Sequence, residues 1–186
     1  MTATELDALP RGRALTAYEV AELDEPEPGS RLELIDGVLI VMESPALQHQ
    51  RVQANLLKLL FAAEPADLWV LASPFDILAV DSAVQPDIGV VLRQEARGSR
   101  HLEQAPRLAV EILSPSTRLR DLTTKFTLYE RMGVPSYWVV DPIDLEMVVW
   151  ELRDGAYAEV ARLHADDTWT AEQPFGVTIT PGRLLD

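Results

Sequence analysis

An α+β domain, α/β-like in its middle, with a central mixed β-sheet flanked by helices is the fold class this sequence predicts. Three observations carry the prediction. Apolar residues at helical spacing recur in two long segments, and short apolar runs of strand length lie between and after them. Asp36-Gly37 and Asp154-Gly155 each separate two strand-like segments, the strongest short hairpin signal. No repeat, low-complexity tract or linker divides the 186 residues, and that length fills a sizeable core without staples.

Residues 1–15 carry no periodic pattern and read as a loose lead-in to a single domain over 16–186. Thr16-Ala17-Tyr18-Glu19 is a capping box, which predicts a short helix over 17–24. Glu25-Pro26-Glu27-Pro28-Gly29 breaks the chain. Arg31 to Glu43 reads as two strands around Asp36-Gly37. Ser44-Pro45 then looks like an N-cap followed by proline at the first helical position. Val52, Leu56, Leu59, Leu60 and Ala63 mark an amphipathic helix up to about residue 63. Leu68–Ala72, Phe75–Val80, Ile88–Leu92 and Arg107–Leu113 read as strands, with a polar loop over 94–105. A helix over 117–132 stops at Gly133, with Pro135 behind it. Tyr137–Asp141 is a buried strand, and Glu146–Leu152 with Tyr157–Leu163 form the second hairpin. The tail holds at most one short strand near Val177–Ile179.

The composition, 47% hydrophobic and 25% charged, is that of an ordinary globular protein. No apolar run is long enough for a membrane span, and the N-terminus lacks the basic start of a signal peptide. With no cysteine there is no disulfide, thiolate nucleophile or thiolate metal site, and a cytoplasmic protein is expected. Only His49, His101 and His164 are available as imidazole donors, scattered along the chain, which argues against zinc. Neither a phosphate-binding glycine loop nor a nucleophile elbow is present. The net charge of −14 disfavours a nucleic-acid partner, because phosphate binding rests on Lys and Arg. It does not disfavour hard cations, which carboxylates bind.

Two acids interrupt runs that otherwise belong in a core. Asp87 precedes Ile88-Gly89-Val90-Val91-Leu92, and Glu111 lies within Leu108-Ala109-Val110-Glu111-Ile112-Leu113. A buried carboxylate is paired, bound to a cation or at a strand end, because its isolated burial is prohibitive. At about 100° per residue, Leu119, Leu122, Phe126, Leu128, Tyr129 and Met132 share one arc of the 117–132 helix. Lys125 falls inside that arc, as do Arg118 and Asp121. An inward lysine either snorkels to the rim or meets an anion, and the preceding strands hold two.

Gln85-Pro86-Asp87 followed by Val110-Glu111-Ile112-Leu113 resembles the PD-(D/E)xK nuclease signature, except that Leu113 stands where that signature has its lysine. The segment from Ser114-Pro115-Ser116-Thr117-Arg118 through Asp121, Lys125 and Tyr129 to Gly133-Val134-Pro135-Ser136-Tyr137-Trp138-Val139-Val140-Asp141-Pro142 resembles the Uma2 family, formerly the domain of unknown function DUF820. Leu32-Glu33-Leu34-Ile35-Asp36-Gly37 and Ser44-Pro45 with His49 extend the likeness to about residues 16–160. The resemblance implies a restriction endonuclease-like core whose lysine has migrated to the following helix. It implies that Asp87, Glu111 and the carbonyl of Ile112 bind Mg²⁺ or Mn²⁺, and that Lys125 orients the attacking water or stabilises charge on phosphate. Glu33 is either an extra acid near the metal or an outward hairpin residue, since alternation sets it on the face opposite Leu32 and Leu34. His49 is a phosphate contact or proton carrier, or a merely exposed helix-start histidine. Tyr129 either borders the site or serves core packing alone, and Gln50 and Arg118 are weaker phosphate contacts.

The activity expected is Mg²⁺-dependent hydrolysis of a phosphodiester, with DNA as substrate and two copies pairing as a homodimer through the aromatic strands 137–150. The rival expectation is a nuclease fold kept as a binding or assembly module without catalysis. Fold similarity alone does not choose between them.

Overall fold

The computed structural model describes residues 14–23, 31–42 and 44–186. The chain break at residues 25–29, most of the lead-in and Glu43 lie outside the described residues. Helix α1, Ala17–Ala21, starts on the expected capping box: Thr16 Oγ1 accepts the Glu19 amide, and Glu19 Oε2 accepts the Thr16 amide.

Strand β1 (Arg31–Ile35) pairs antiparallel with β2 (Val38–Met42). Asp36 and Gly37 take φ of 50° and 77°, as a two-residue turn that matches strand twist requires. Helix α2 runs Leu47–Ala63. Ser44-Pro45 was expected to open it, but the chain stays extended through Ala46, at φ −67° and ψ 160°. Ser44 and Pro45 instead border a cleft. Strand β3 is Leu68–Ala72. The expected strand Phe75–Val80 shrinks to β4, Ile77–Leu78, which pairs with β5, Ala83–Val84. Strand β6 is Ile88–Leu92, the polar stretch opens with a single turn α3 at Arg93–Ala96, and β7 is Leu108–Ile112.

The expected 117–132 helix is one run with a defect inside it. Helix α4 (Arg118–Arg120) passes into a π segment at Asp121–Lys125 and on into α5, Phe126–Met132. Gly133, at φ 77°, closes it, and the Val134 amide returns to the Tyr129 carbonyl in a left-handed cap. Strands β8 (Ser136–Asp141), β9 (Glu146–Arg153) and β10 (Ala156–His164) follow. The tail holds two strands rather than one, β11 (Trp169–Ala171) paired with β12 (Val177–Ile179), and ends in a 3₁₀ turn, Pro181–Leu184.

Six strands form the central sheet in the order β10-β9-β8-β7-β6-β3. Only β7 and β8 run parallel, joined by the α4–α5 crossover; the other four pairings are antiparallel. A second sheet, β2-β1-β5-β4, lies against it. Alternation along β7 divides the interior. Leu108, Val110 and Ile112 face Val52, Leu56 and Leu60 of α2. Ala109 and Leu113 face the side of Leu128, Tyr129 and Ile35. Glu111 shares that second face, so its carboxylate emerges beneath the helix.

Strands 137–150, expected to form an edge or an interface between copies, are no edge: β8 and β9 lie inside the six-stranded order, and Tyr137 and Trp138 are buried. Among the described residues no helix is long and apolar enough to cross a membrane.

Candidate active site

Register brings the two strand acids together. Ile88 pairs with Val110 across β6 and β7, which sets Asp87, one residue before β6, beside the Glu111 end of β7. Asp87 Oδ2 accepts the amide of Ile112 at 2.8 Å and meets His49 Nε2 at 3.0 Å. Asp87 Oδ1 faces Arg31, with Nη1 and Nη2 at 3.4 and 3.3 Å. Gln53, one turn beyond His49 on α2, donates to the Asp87 carbonyl at 2.7 Å. Burial opposes the Asp87 charge, but His49, Arg31 and the Ile112 amide outweigh it and hold the carboxyl below the usual aspartate range.

Lys125 comes to the same place from the π segment. Its Nζ stands 2.9 Å from Glu111 Oε1 and 2.8 Å from Glu33 Oε1, and the side chain is 1% exposed. Burial works against an ammonium, yet Glu111, Glu33 and Asp121 together hold Lys125 above the ordinary lysine range. Tyr129, one turn on, donates to Glu111 Oε1 at 2.8 Å. Burial, with Asp121, Asp87 and Glu33 nearby, pushes the Glu111 carboxyl well up against the pull of Lys125. Tyr137 on β8 donates to the carbonyl of Asp121 at 2.9 Å and pins the π segment to the sheet. Widened turns of this kind concentrate at functional sites.

Glu33 is buried rather than outward. Both faces of β1 are covered, so its place opposite Leu32 and Leu34 does not expose it. The Gln85 main-chain amide reaches its Oε1 at 2.8 Å, and among the described residues its buried Oε2 has no partner, nor does His49 Nδ1.

A cleft of about 340 Å³ opens over this cluster. Asp87, Glu111, Ile112 and Lys125 line it with His49, Arg31 and Asp121, while Arg120 and the hydroxyls of Ser114, Ser116 and Thr117 stand at its mouth. Glu33 and Tyr129 sit behind that lining. Gln50 is exposed and outside it. Arg118 is outside it too, paired with Asp141 and Asp144. Sequence reasoning gave no role to Arg31, the first residue of its strand. Asp121 carried a signal, its place on the inward arc, that the role assignment did not use.

The donor set suits a hard cation. Four buried acids, Glu33, Asp87, Glu111 and Asp121, outnumber the buried Lys125, and carboxylate oxygens of the cleft adjoin the main chain of Ile112. Among the described residues no three acid or imidazole side chains are grouped as a metal cage. A cation here would therefore complete its shell with main-chain oxygen and water, as Mg²⁺ commonly does.

A family model named Uma2, described as "Putative restriction endonuclease", matches residues 17–182. The fold is similar to a crystal structure from Anabaena variabilis ATCC 29413, described as a putative nuclease belonging to DUF820. The two share 19% identity over 92% of this chain and 97% of that one, with a TM-score of 0.75. No curated protein matches the chain.

Proposed function

The chain belongs to the Uma2 family, and from that premise we propose that it is a metal-dependent endonuclease that hydrolyses phosphodiester bonds of DNA in the cleft over Asp87, Glu111 and Lys125. The observation that carries the reading is the buried Lys125 ammonium, 2.9 Å from Glu111 in the cleft that Asp87 also lines. A cluster kept only for stability would gain from apolar replacements.

In this reading Asp87, Glu111 and the Ile112 carbonyl would hold Mg²⁺ or Mn²⁺, which when bound would supply charge near a phosphate oxygen and acidify a water. Lys125 is placed to orient the attacking water and to offset charge that develops on phosphate. Glu33 and Tyr129 fix Lys125 and Glu111 from behind, through the contacts that immobilise both. His49, hydrogen-bonded to Asp87, is placed to carry a proton. Gln50 and Arg118, outside the cleft, fall to phosphates flanking the scissile one. Two such clefts would cut both strands of a duplex in one encounter, so the reading includes a homodimer, working in the cytoplasm where DNA is met.

Titration of Mn²⁺ and Mg²⁺ by calorimetry into the wild type and Glu111→Ala, with and without a short duplex, tests the reading. Binding to the wild type that disappears in the variant is the expected result, followed by Mn²⁺-dependent nicking of plasmid DNA that Lys125→Met abolishes. A second reading, a nuclease fold serving as a binding or assembly module, is favoured by the net charge of −14. Absence of cation binding under both conditions would replace the first reading with the second.

A further inference from the structure

Arg31 stands between two openings. On one side it lines the cleft, with Nη1 and Nη2 at 3.4 and 3.3 Å from Asp87 Oδ1. On the other it lines a smaller cavity of about 150 Å³, walled by Asp76, Gln85, Val20, Leu23 and Pro74. Both distances to Asp87 are long for a well-seated guanidinium–carboxylate pair, which closes to about 2.7–2.9 Å. Asp87 Oδ2 is already engaged by Ile112 and His49. Oδ1 is therefore the oxygen a cation would take, and Arg31 occupies it.

The smaller cavity offers what a displaced guanidinium needs. Gln85 Nε2 donates to Asp76 Oδ1 at 2.9 Å, but Gln85 Oε1 is buried with no donor among the described residues. Burial holds the Asp76 carboxyl above its ordinary range. A guanidinium supplies several donors in a fixed fork together with a permanent charge, which suits an unmet amide oxygen beside a half-buried acid.

We infer that Arg31 is the internal counter-ion of the cation site: it neutralises Asp87 in the cation-free protein and moves to Asp76 and Gln85 when a divalent cation takes Asp87 Oδ1. The inference rests on the reading of Asp87 and Glu111 as a cation site. It makes cation affinity a difference between two seats of one side chain, since a ligand shifts such an equilibrium only by its preference between the two states. Loading then exchanges the single charge of a guanidinium at Asp87 for the double charge of the cation, and Asp87 is never left buried without a partner.

Mn²⁺ titrations by calorimetry of the wild type, Arg31→Met, Asp76→Asn and the double variant test this, with Glu111→Ala locating the ion and a urea transition recorded for each. Arg31→Met is expected to bind Mn²⁺ about tenfold more tightly. Asp76→Asn is expected to weaken binding when Arg31 is present and to change nothing once Arg31 is methionine. Unchanged or weaker binding in Arg31→Met, with wild-type binding intact and lost in Glu111→Ala, overturns the counter-ion role alone. An Asp76→Asn loss of equal size in both backgrounds overturns the second seat. No Mn²⁺ binding by any of these proteins overturns the cation-site reading and this inference with it. If Arg31→Met gives no cooperative urea transition, Arg31→Lys replaces it as a weaker competitor, and binding no tighter than wild type again overturns the role.

Discussion

Replacing Lys125 with methionine removes the buried ammonium that Glu33 and Glu111 share. The ammonium is 1% exposed, and Glu33 and Glu111 are 0% and 3% exposed. The 0–1 kcal/mol typical of solvent-screened surface pairs therefore does not apply. Deleting one member of a buried pair costs about 3–5 kcal/mol. Here one ammonium serves two carboxylates, at 2.8 and 2.9 Å, so the upper part of that range is expected, about 4–5 kcal/mol. At about 2–4 °C per kcal/mol for a chain of this length, the Tm should fall by roughly 8–20 °C. Urea unfolding in cation-free buffer, followed by fluorescence of the four tryptophans, measures the loss. Adding Glu33→Gln and Glu111→Gln to the same protein should recover most of it, because the amides strand no charge. A loss below about 1 kcal/mol, or a triple variant no more stable than the single one, refutes the idea that charge pairing holds this cluster.

Gly89→Ala puts a Cβ 2.5 Å from Phe75 Cζ, and overpacking of this kind costs about 1–3 kcal/mol; thermal unfolding should show the drop, and pairing the change with Phe75→Leu should relieve it. Asp141 accepts the amides of Ile143 and Asp144 at 2.9 and 3.1 Å and pairs with Arg118. Burial opposes its charge, but those amides and the guanidinium outweigh it and hold the carboxyl below the ordinary aspartate range. A depressed folded pKa gives stability that is present above the unfolded value, near about 3.9, and lost as pH falls through the folded one. Asp141→Asn should therefore cost about 1 kcal/mol at pH 7, a deficit that closes in urea titrations as pH falls from the unfolded value through the lower folded one.

The parts of the molecule legible in the sequence are those where one local rule acts alone. Asp-Gly fixes both hairpin turns because few other residues accept positive φ at two successive positions. Strand period sends Glu111 to the face opposite Val110, and helix period sends Lys125 inward to meet it. The rules fail where two act together. Glu33 alternates with apolar neighbours and so looks outward, yet β1 lies in a second sheet covered on both faces. That sheet was not foreseen: the strand expected at Phe75–Val80 keeps only Ile77–Leu78 as β4, and β5, two residues long, has too little pattern to detect. Leu119 was placed on the apolar arc and is 77% exposed, because the π segment after it adds a residue to the turn and breaks the phase of the wheel. Arg31 opens its strand and matches no pattern; only the fold aims it at Asp87.

The place of Lys125 on the crossover helix, rather than on the strand of Glu111, also has a consequence in time. Glu111 belongs to the middle of a six-stranded sheet, and Lys125 belongs to a helical crossover that docks on that sheet from outside. Proteins open in cooperative pieces, and docked surface elements open at lower free energy than central strands. The crossover is thus a piece that can lift while the sheet stays closed. Each lift separates the ammonium from both carboxylates at once and leaves the strand acids in register. A lysine two residues past the acid, on the same strand, would share every opening of that strand and could not come and go by itself. Here the strand position is Leu113, packed in the core, and the charge that completes the cluster has its own clock, readable as faster amide exchange across residues 118–132 than across β7.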